Sequence, residues 1–149
     1  MNILLKLSAV LWFLWGAVHT FAGIITINFV NSGNIAQGFG GIADAVELAS
    51  FDLAYPEAVG AVLGQHGFNL LWFGVITLIC SVLIWRKSGN AILLAAIVGG
   101  LADLGYFLFL DLGGYVNFVP GTVMTLVSAA AIILSFIAYF RSDRLRALS

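Results

Sequence analysis

Four apolar stretches, each long enough to cross a bilayer, constrain this chain more than any other feature. A helix rises about 1.5 Å per residue, so about 20 mostly apolar residues cover roughly 30 Å of hydrocarbon. Residues 7–29, 59–85, 91–110 and 119–140 meet that length. The breaks between them carry helix-ending residues. Asn31-Ser32-Gly33-Asn34 follows the first stretch, Arg86-Lys87-Ser88-Gly89-Asn90 separates the second from the third, and residues 111–117 separate the third from the fourth. Pro120 falls where a helix tolerates proline, in its first turn. The fold class that follows is an all-α, single-domain membrane bundle of four transmembrane helices.

Composition excludes most alternatives. Hydrophobic residues make up 62% of the 149 and charged residues 9%, whereas soluble domains carry about 25% charged residues. So few charges cannot clothe a water-soluble protein of this size. A net charge of −1 gives no basic field for a phosphate backbone, so nucleic acid is not an expected partner. The lone cysteine, Cys80, excludes an internal disulfide and any multi-cysteine zinc site. It reads as a packing residue.

With four spans, both termini and the turn after the second span share one side. All six basic residues (Lys6, Arg86, Lys87, Arg141, Arg144 and Arg146) fall there. The positive-inside rule makes that side the cytoplasm of a multi-pass cell-membrane protein. Asp44, Glu47, Asp52, Glu57 and Asp111 fall on the other side. The first apolar run continues past His19 to Phe29 without a small-x-small cleavage site, so it reads as a span rather than a removed leader. Trp85, Tyr139 and Phe140 suit an inner aromatic belt, Tyr55 and Tyr115 an outer one. The basic C-terminal run from Arg141 to Arg146 suits contact with lipid head groups.

The loop 31–58 carries four acids and no base. Its glycine-rich first half is expected to be flexible. In its second half Asp44 and Glu47 have capping-box spacing, and Pro56 ends the run, which predicts a short surface helix. The loop serves as a connector or as a lid over an outward-facing cavity.

Ionisable groups at membrane depth are functional candidates by default, and here there are three. His19 lies about 12–15 Å from the outer end of span one, with His66 and Asp103 about 10 Å from theirs. Helical spacing assigns each span a face rich in polar and small residues: Ser8, Trp12, Trp15, His19, Gly23 and Thr26 on the first; Gln65, Asn69 and Trp72, with His66 one position round, on the second. Gly99, Asp103 and Tyr106 form it on the third, and Gly121, Thr125, Ser128, Ile132, Ser135 and Tyr139 on the fourth. Such faces belong in a bundle interior.

Four readings of the polar layer stay open. His19, His66 and Asp103 are the residue types of a facial-triad metal site. The two histidines could instead be axial haem ligands, with Gly16, Gly23, Gly64 and Gly67 admitting a flat macrocycle. A third reading is a pocket for a lipophilic small molecule. His19, His66 and Asp103 are then its catalytic or polar-head contacts, joined by Gln65, Asn69 and Thr125, with Trp12, Trp15, Trp72 and Tyr106 lining the tail. In the fourth, these groups only tie the helices together in a non-catalytic assembly or ligand-binding subunit. Gly60 and Gly64 form a small-xxx-small motif for close helix packing or oligomerisation.

Leu4-Leu5-Lys6-Leu7 opening span one, Gly16 and His19-Thr20-Phe21-Ala22-Gly23 late in it, and Arg86-Lys87 after span two resemble the small four-helix DoxX-like membrane proteins. The likeness covers architecture along most of the chain. It implies a link to membrane redox systems and quinone-associated oxidation, and it transfers no catalytic residue to a position here.

Overall fold

The computed structural model describes residues 3–147, with side chains described as far as Arg141. The basic positions Arg144 and Arg146 therefore lie outside the described side chains. Five α-helices run in order: α1 (Ile3–Asn31), α2 (Ile35–Gly40), α3 (Glu57–Trp85), α4 (Gly89–Tyr106) and α5 (Val123–Ala147). No strand occurs among the described residues. The four long segments Ile3–Asn31, Glu57–Trp85, Gly89–Asp111 and Phe118–Arg141 are long and apolar enough to cross a membrane. Each extends the stretch read from hydropathy by a few residues.

Neighbours in the bundle are α1 and α3, α3 and α4, α4 and α5, and α5 and α1, with the α1–α3 seam the most extensive. Glycine makes that seam possible. A Cβ added at Gly23 would lie 2.5 Å from the Leu71 nitrogen and 2.6 Å from the Gly67 carbonyl oxygen. One added at Gly16 would lie 2.9 Å from the Gly74 carbonyl oxygen. Two glycines seven residues apart on α1 thus meet two glycines seven residues apart on antiparallel α3, which brings backbone against backbone. Gly60 and Gly64 do something different. They receive the side chains of Ile35 and Val30, at 3.2 and 3.6 Å from the added Cβ.

The end of the bundle bearing the α3–α4 turn is tightly filled. Trp12 and Trp15 are fully buried and meet edge to face at 5.9 Å. Cys80, Ile84, Ala91, Ala95 and Ala131 pack around them, and the Trp12 ring occupies the space left by Gly99. The Ser8 hydroxyl donates to the Ala131 carbonyl at 2.9 Å and also meets the Ser135 hydroxyl, tying α1 to α5. On span one the observed buried face contains Ser8, Trp12, Trp15, Gly23 and Thr26, as the periodicity predicts. Span two departs from it. Its buried face is Gly60, Leu63, Gly67, Gly74, Thr77, Cys80, Ser81 and Ile84, whereas Gln65 and Trp72 are exposed. Trp72 donates to the Asn69 side chain on its own helix at 3.1 Å. A polar pair satisfied within one helix has no need of the interior, and the small residues decide which side is buried.

The loop after α1 is also arranged differently from its sequence-based expectation. The glycine-rich half forms α2, while the second half holds only a single 3-10 turn, Leu48–Phe51. Asp44 caps nothing locally, because its carboxylate accepts from the Asn117 backbone N–H at 2.7 Å. The Asn117 side-chain amide donates to the Asp44 carbonyl at 2.8 Å, and the Ala45 N–H donates to the Tyr115 carbonyl at 3.1 Å. This long-range clasp outcompetes a capping box and binds the two loops at this end into one layer.

Candidate functional site

Beneath that layer the bundle is hollow. A cavity of about 650 Å³ is walled by Val18, Ala22, Ile25 and Phe29 of α1, Leu70 and Phe73 of α3, and Ala102 of α4. Met124 of α5 closes a further side, and Gly38, Gly41 and Ile42 roof it from the loop. A π-helical turn and a kinked re-entry help to open it. Regular α4 stops at Tyr106 and continues as a wider π turn over Phe107–Asp111, and the chain re-enters through a kinked segment, Phe118–Thr122, in which Val119 is extended and the Val119–Pro120 bond is cis. Phe109 and Leu110 from one segment, and Pro120 and Gly121 from the other, face the space. The two segments are latched by the Thr122 hydroxyl, which donates to Asp111 at 2.7 Å. Gly105 also lines the cavity, and a Cβ built there meets nothing within 4 Å. The lining reaches the outer apolar surface at Val18, Phe21 and Phe109, which are 39%, 65% and 76% exposed.

Against this apolar wall five polar side chains are set: His19, Thr26, His66, Asp103 and Tyr106; the Thr26 hydroxyl donates to the Ala22 carbonyl of its own helix at 2.9 Å. Asp103 is buried on α4, and its Oδ2 accepts from the Trp15 indole N–H at 2.7 Å across the bundle. Its Oδ1 lies 3.8 Å from His19 Nε2. His19 is fixed by two further contacts. Its ring stacks on Trp15 with centroids 3.6 Å apart, and its Nδ1 donates to the Trp15 carbonyl at 2.9 Å. A carbonyl only accepts, so Nδ1 carries the hydrogen and the neutral ring presents a lone pair at Nε2. Lone pair and carboxylate oxygen then face each other, an arrangement that attracts only when a proton lies between them. At 3.8 Å the pair is too far apart for a direct hydrogen bond. Trp15 therefore orients both partners, one through its N–H and the other through its ring and carbonyl.

His66 reaches the same cavity from α3 but is not gathered with His19 and Asp103. Among the described residues no three His, Cys, Asp or Glu side chains come close enough to hold one metal ion. The triad's residue types are present, but their grouping is not. Haem fits no better, since His19 Nε2, the nitrogen an axial bond needs, is turned to a carboxylate. The glycines thought to admit a macrocycle are occupied by helix and side-chain contacts, with Gly16 and Gly23 on α3 and Gly64 at Val30. Of the predicted ligand contacts, Tyr106 lines the cavity. Trp12 lies in the packed core, its indole N–H without a partner among the described residues. Gln65, Asn69 and Trp72 lie off the lining on another face of α3, and the Thr125 hydroxyl is buried off it as well. Trp15 stands behind the wall as a positioning residue.

Sequence reasoning offered the loop as a lid without naming the residues that form the roof, and it missed the π turn after Tyr106, the kink at Val119 and Gly105. The signals available were the glycines at 38, 41 and 105 and the proline at 120, whose meaning depends on partners distant in the chain. Comparison with protein-family models, with curated proteins and with solved structures finds no match to this chain.

Proposed function

We propose that this chain is a multi-pass membrane protein, with both termini and the α3–α4 turn cytoplasmic, that binds a lipophilic small molecule in the cavity beneath its outer loops. One observation carries the reading: an apolar space of about 650 Å³ has His19 and Asp103 set into its wall 3.8 Å apart. Ligand sites commonly enclose about 300–1,000 Å³ and combine apolar walls with a few convergent polar groups. The exposed apolar lining at Val18, Phe21 and Phe109 supports entry from the lipid rather than from water.

The pair suggests the chemistry of the ligand's head. A hydroxyl seated at His19 Nε2 donates its proton there, and the resulting imidazolium is stabilised by the Asp103 carboxylate. The reverse transfer restores the neutral ring. His66 and the Tyr106 hydroxyl supply further polar contacts. On this reading the protein is an enzyme or enzyme subunit acting on the lipophile, and the DoxX-like resemblance favours a redox-linked one. One observation favours a second reading. The Trp15–Asp103 hydrogen bond joins α1 to α4, so the polar layer also serves as interhelical packing in a non-catalytic subunit.

Gly105→Leu separates the two. Because the added side chain enters open space, it should fill the cavity without displacing backbone, and glycine in a helix costs about 1 kcal/mol relative to a good helix former. The variant should be as stable as the parent or more so, yet lose any apolar molecule that mass spectrometry finds in organic extracts of the purified protein. Unchanged extract composition in a stable Gly105→Leu protein would sink the binding reading and leave the packing role.

A further inference from the structure

At the opposite end of the bundle a second feature lies outside the cavity and its proposed chemistry. A groove of about 550 Å³ runs between α1 and α3, floored by Ala9 and Ser81 and walled by Val10, Phe13 and Val82. Small residues set its floor, because Ala9 and Ser81 let the two helices approach while the larger side chains on either side stand out as ridges. Val10, Phe13 and Val82 are 45%, 53% and 51% exposed, so the trough opens to the bundle's surroundings. Its mouth is of different chemistry. Arg86 lines it, and Lys6 Nζ sits 4.8 Å above the Trp85 ring. Lys87 follows at a position with φ 70° that turns the chain away from α3. None of these cations has an acidic partner among the described residues, where the His19–Asp103 pair is the ion pair observed.

An apolar trough ending in cations that have no acidic partner among the described residues, beside an aromatic ring, matches one ligand chemistry: an acyl chain carrying a phosphate at its polar end. We infer that this groove is a binding site for an anionic phospholipid of the cytoplasmic leaflet, its acyl chain lying along Val10, Phe13 and Val82 and its phosphate between Arg86 and Lys6. The aromatic ring marks the depth of the headgroup, as tryptophans do at membrane interfaces. Basic pockets between helices on that side suit acidic head groups, and each Lys or Arg near the surface is worth about fivefold in affinity. The inference rests on the membrane placement proposed above and is independent of the cavity.

The test uses the full chain carrying Trp72→Phe, in phosphatidylcholine nanodiscs at low salt. Trp12 and Trp15 are fully buried, so Trp85 then reports the lipid contact. Nanodiscs contain increasing fractions of phosphatidylglycerol or phosphatidylcholine brominated near the glycerol end of one acyl chain. Brominated phosphatidylglycerol should quench Trp85 at much lower mole fraction than brominated phosphatidylcholine. Arg86→Gln should cut that preference about fivefold, and Val10→Phe, which fills the trough and leaves every cation in place, should abolish it. Equal quenching by the two lipids would overturn the inference. So would a preference that survives Val10→Phe, since attraction without a groove is diffuse electrostatics. No quenching by either lipid would overturn the membrane placement itself, a failure distinct from loss of headgroup preference.

Discussion

Trp15 and Asp103 offer the sharpest test of how the site is built. Trp15→Phe removes the indole N–H that reaches Asp103 Oδ2 at 2.7 Å, and Asp103→Leu removes its acceptor. Both residues are buried, Trp15 completely and Asp103 to 4% exposure, so the bond is shielded from bulk water. A hydrogen bond to a charged group is worth about 1.5–3 kcal/mol in soluble proteins. Interhelical bonds within membranes average about 0.6 and reach about 1.7 kcal/mol, because the unfolded helices also find partners there. A short bond to a carboxylate, with its donor fully enclosed, belongs at the top of that range. The expected coupling in the double-mutant cycle is therefore about 1.5 kcal/mol, roughly tenfold in the unfolding equilibrium constant. Each single variant also loses packing, which the cycle subtracts. The assay is equilibrium unfolding by sodium dodecyl sulfate in mixed micelles.

A second cycle is the control. His66 shares the cavity with Asp103, but among the described residues the carboxylate's ion pair is with His19 and not with His66. In protein stripped of apolar molecules, His66→Ala and Asp103→Leu should be additive within about 0.5 kcal/mol. Coupling between them should appear only when a lipophile bridges the cavity. The reasoning is refuted by a Trp15–Asp103 coupling below ~0.5 kcal/mol, or by a larger His66–Asp103 coupling in the stripped protein.

Two further predictions concern the frame. Gly23→Ala should cost at least ~1–3 kcal/mol by the same unfolding assay, because its methyl group would meet α3 backbone atoms at 2.5–2.8 Å; an unchanged stability would show that the seam yields. For orientation, in a Cys80→Ala background a membrane-impermeant maleimide added to intact cells should label a cysteine replacing Ser50 and spare one replacing Ser88. The reverse pattern would invert the topology.

The long helices were legible because hydropathy over 20 residues integrates a large signal. The buried face of span one was legible too, since Ser8, Trp12, Trp15, Gly23 and Thr26 repeat with helical spacing. Span two shows the limit of that logic. Asn69 and Trp72 answer each other locally, so their polarity says nothing of the bundle, while the informative residues were Gly67 and Gly74, whose partners lie on another helix. The same limit hid how the loop that roofs the cavity is built. Asp44 and Glu47 have capping-box spacing, and only the presence of Asn117 seventy-three positions away explains why Asp44 does not cap. Depth alone drew His19, His66 and Asp103 into one layer, and the structure has His19 3.8 Å from Asp103. Which nitrogen faces which oxygen was not legible, because it depends on the Trp15 carbonyl and indole together.

The position of the site follows from where the helices stop matching. α1 and α3 run for 29 residues each, but regular α4 runs for 18 before it widens into a π turn. Where all four helices are regular, alanine, serine and glycine bring them together and the tryptophans fill what remains. Where α4 loosens, the same separation leaves a hollow that loops must cover. Trp15 stands at that boundary, with its edge against Trp12 on the filled side and its N–H and ring face turned to Asp103 and His19 on the hollow side. Packing in the core thus fixes the rotamer of the residue that aligns the polar pair. A substitution that lets the Trp12–Trp15 contact relax should disturb the His19–Asp103 geometry without touching either residue, even though the cavity opens elsewhere, at Gly105, the π turn after Tyr106 and the kink at Val119.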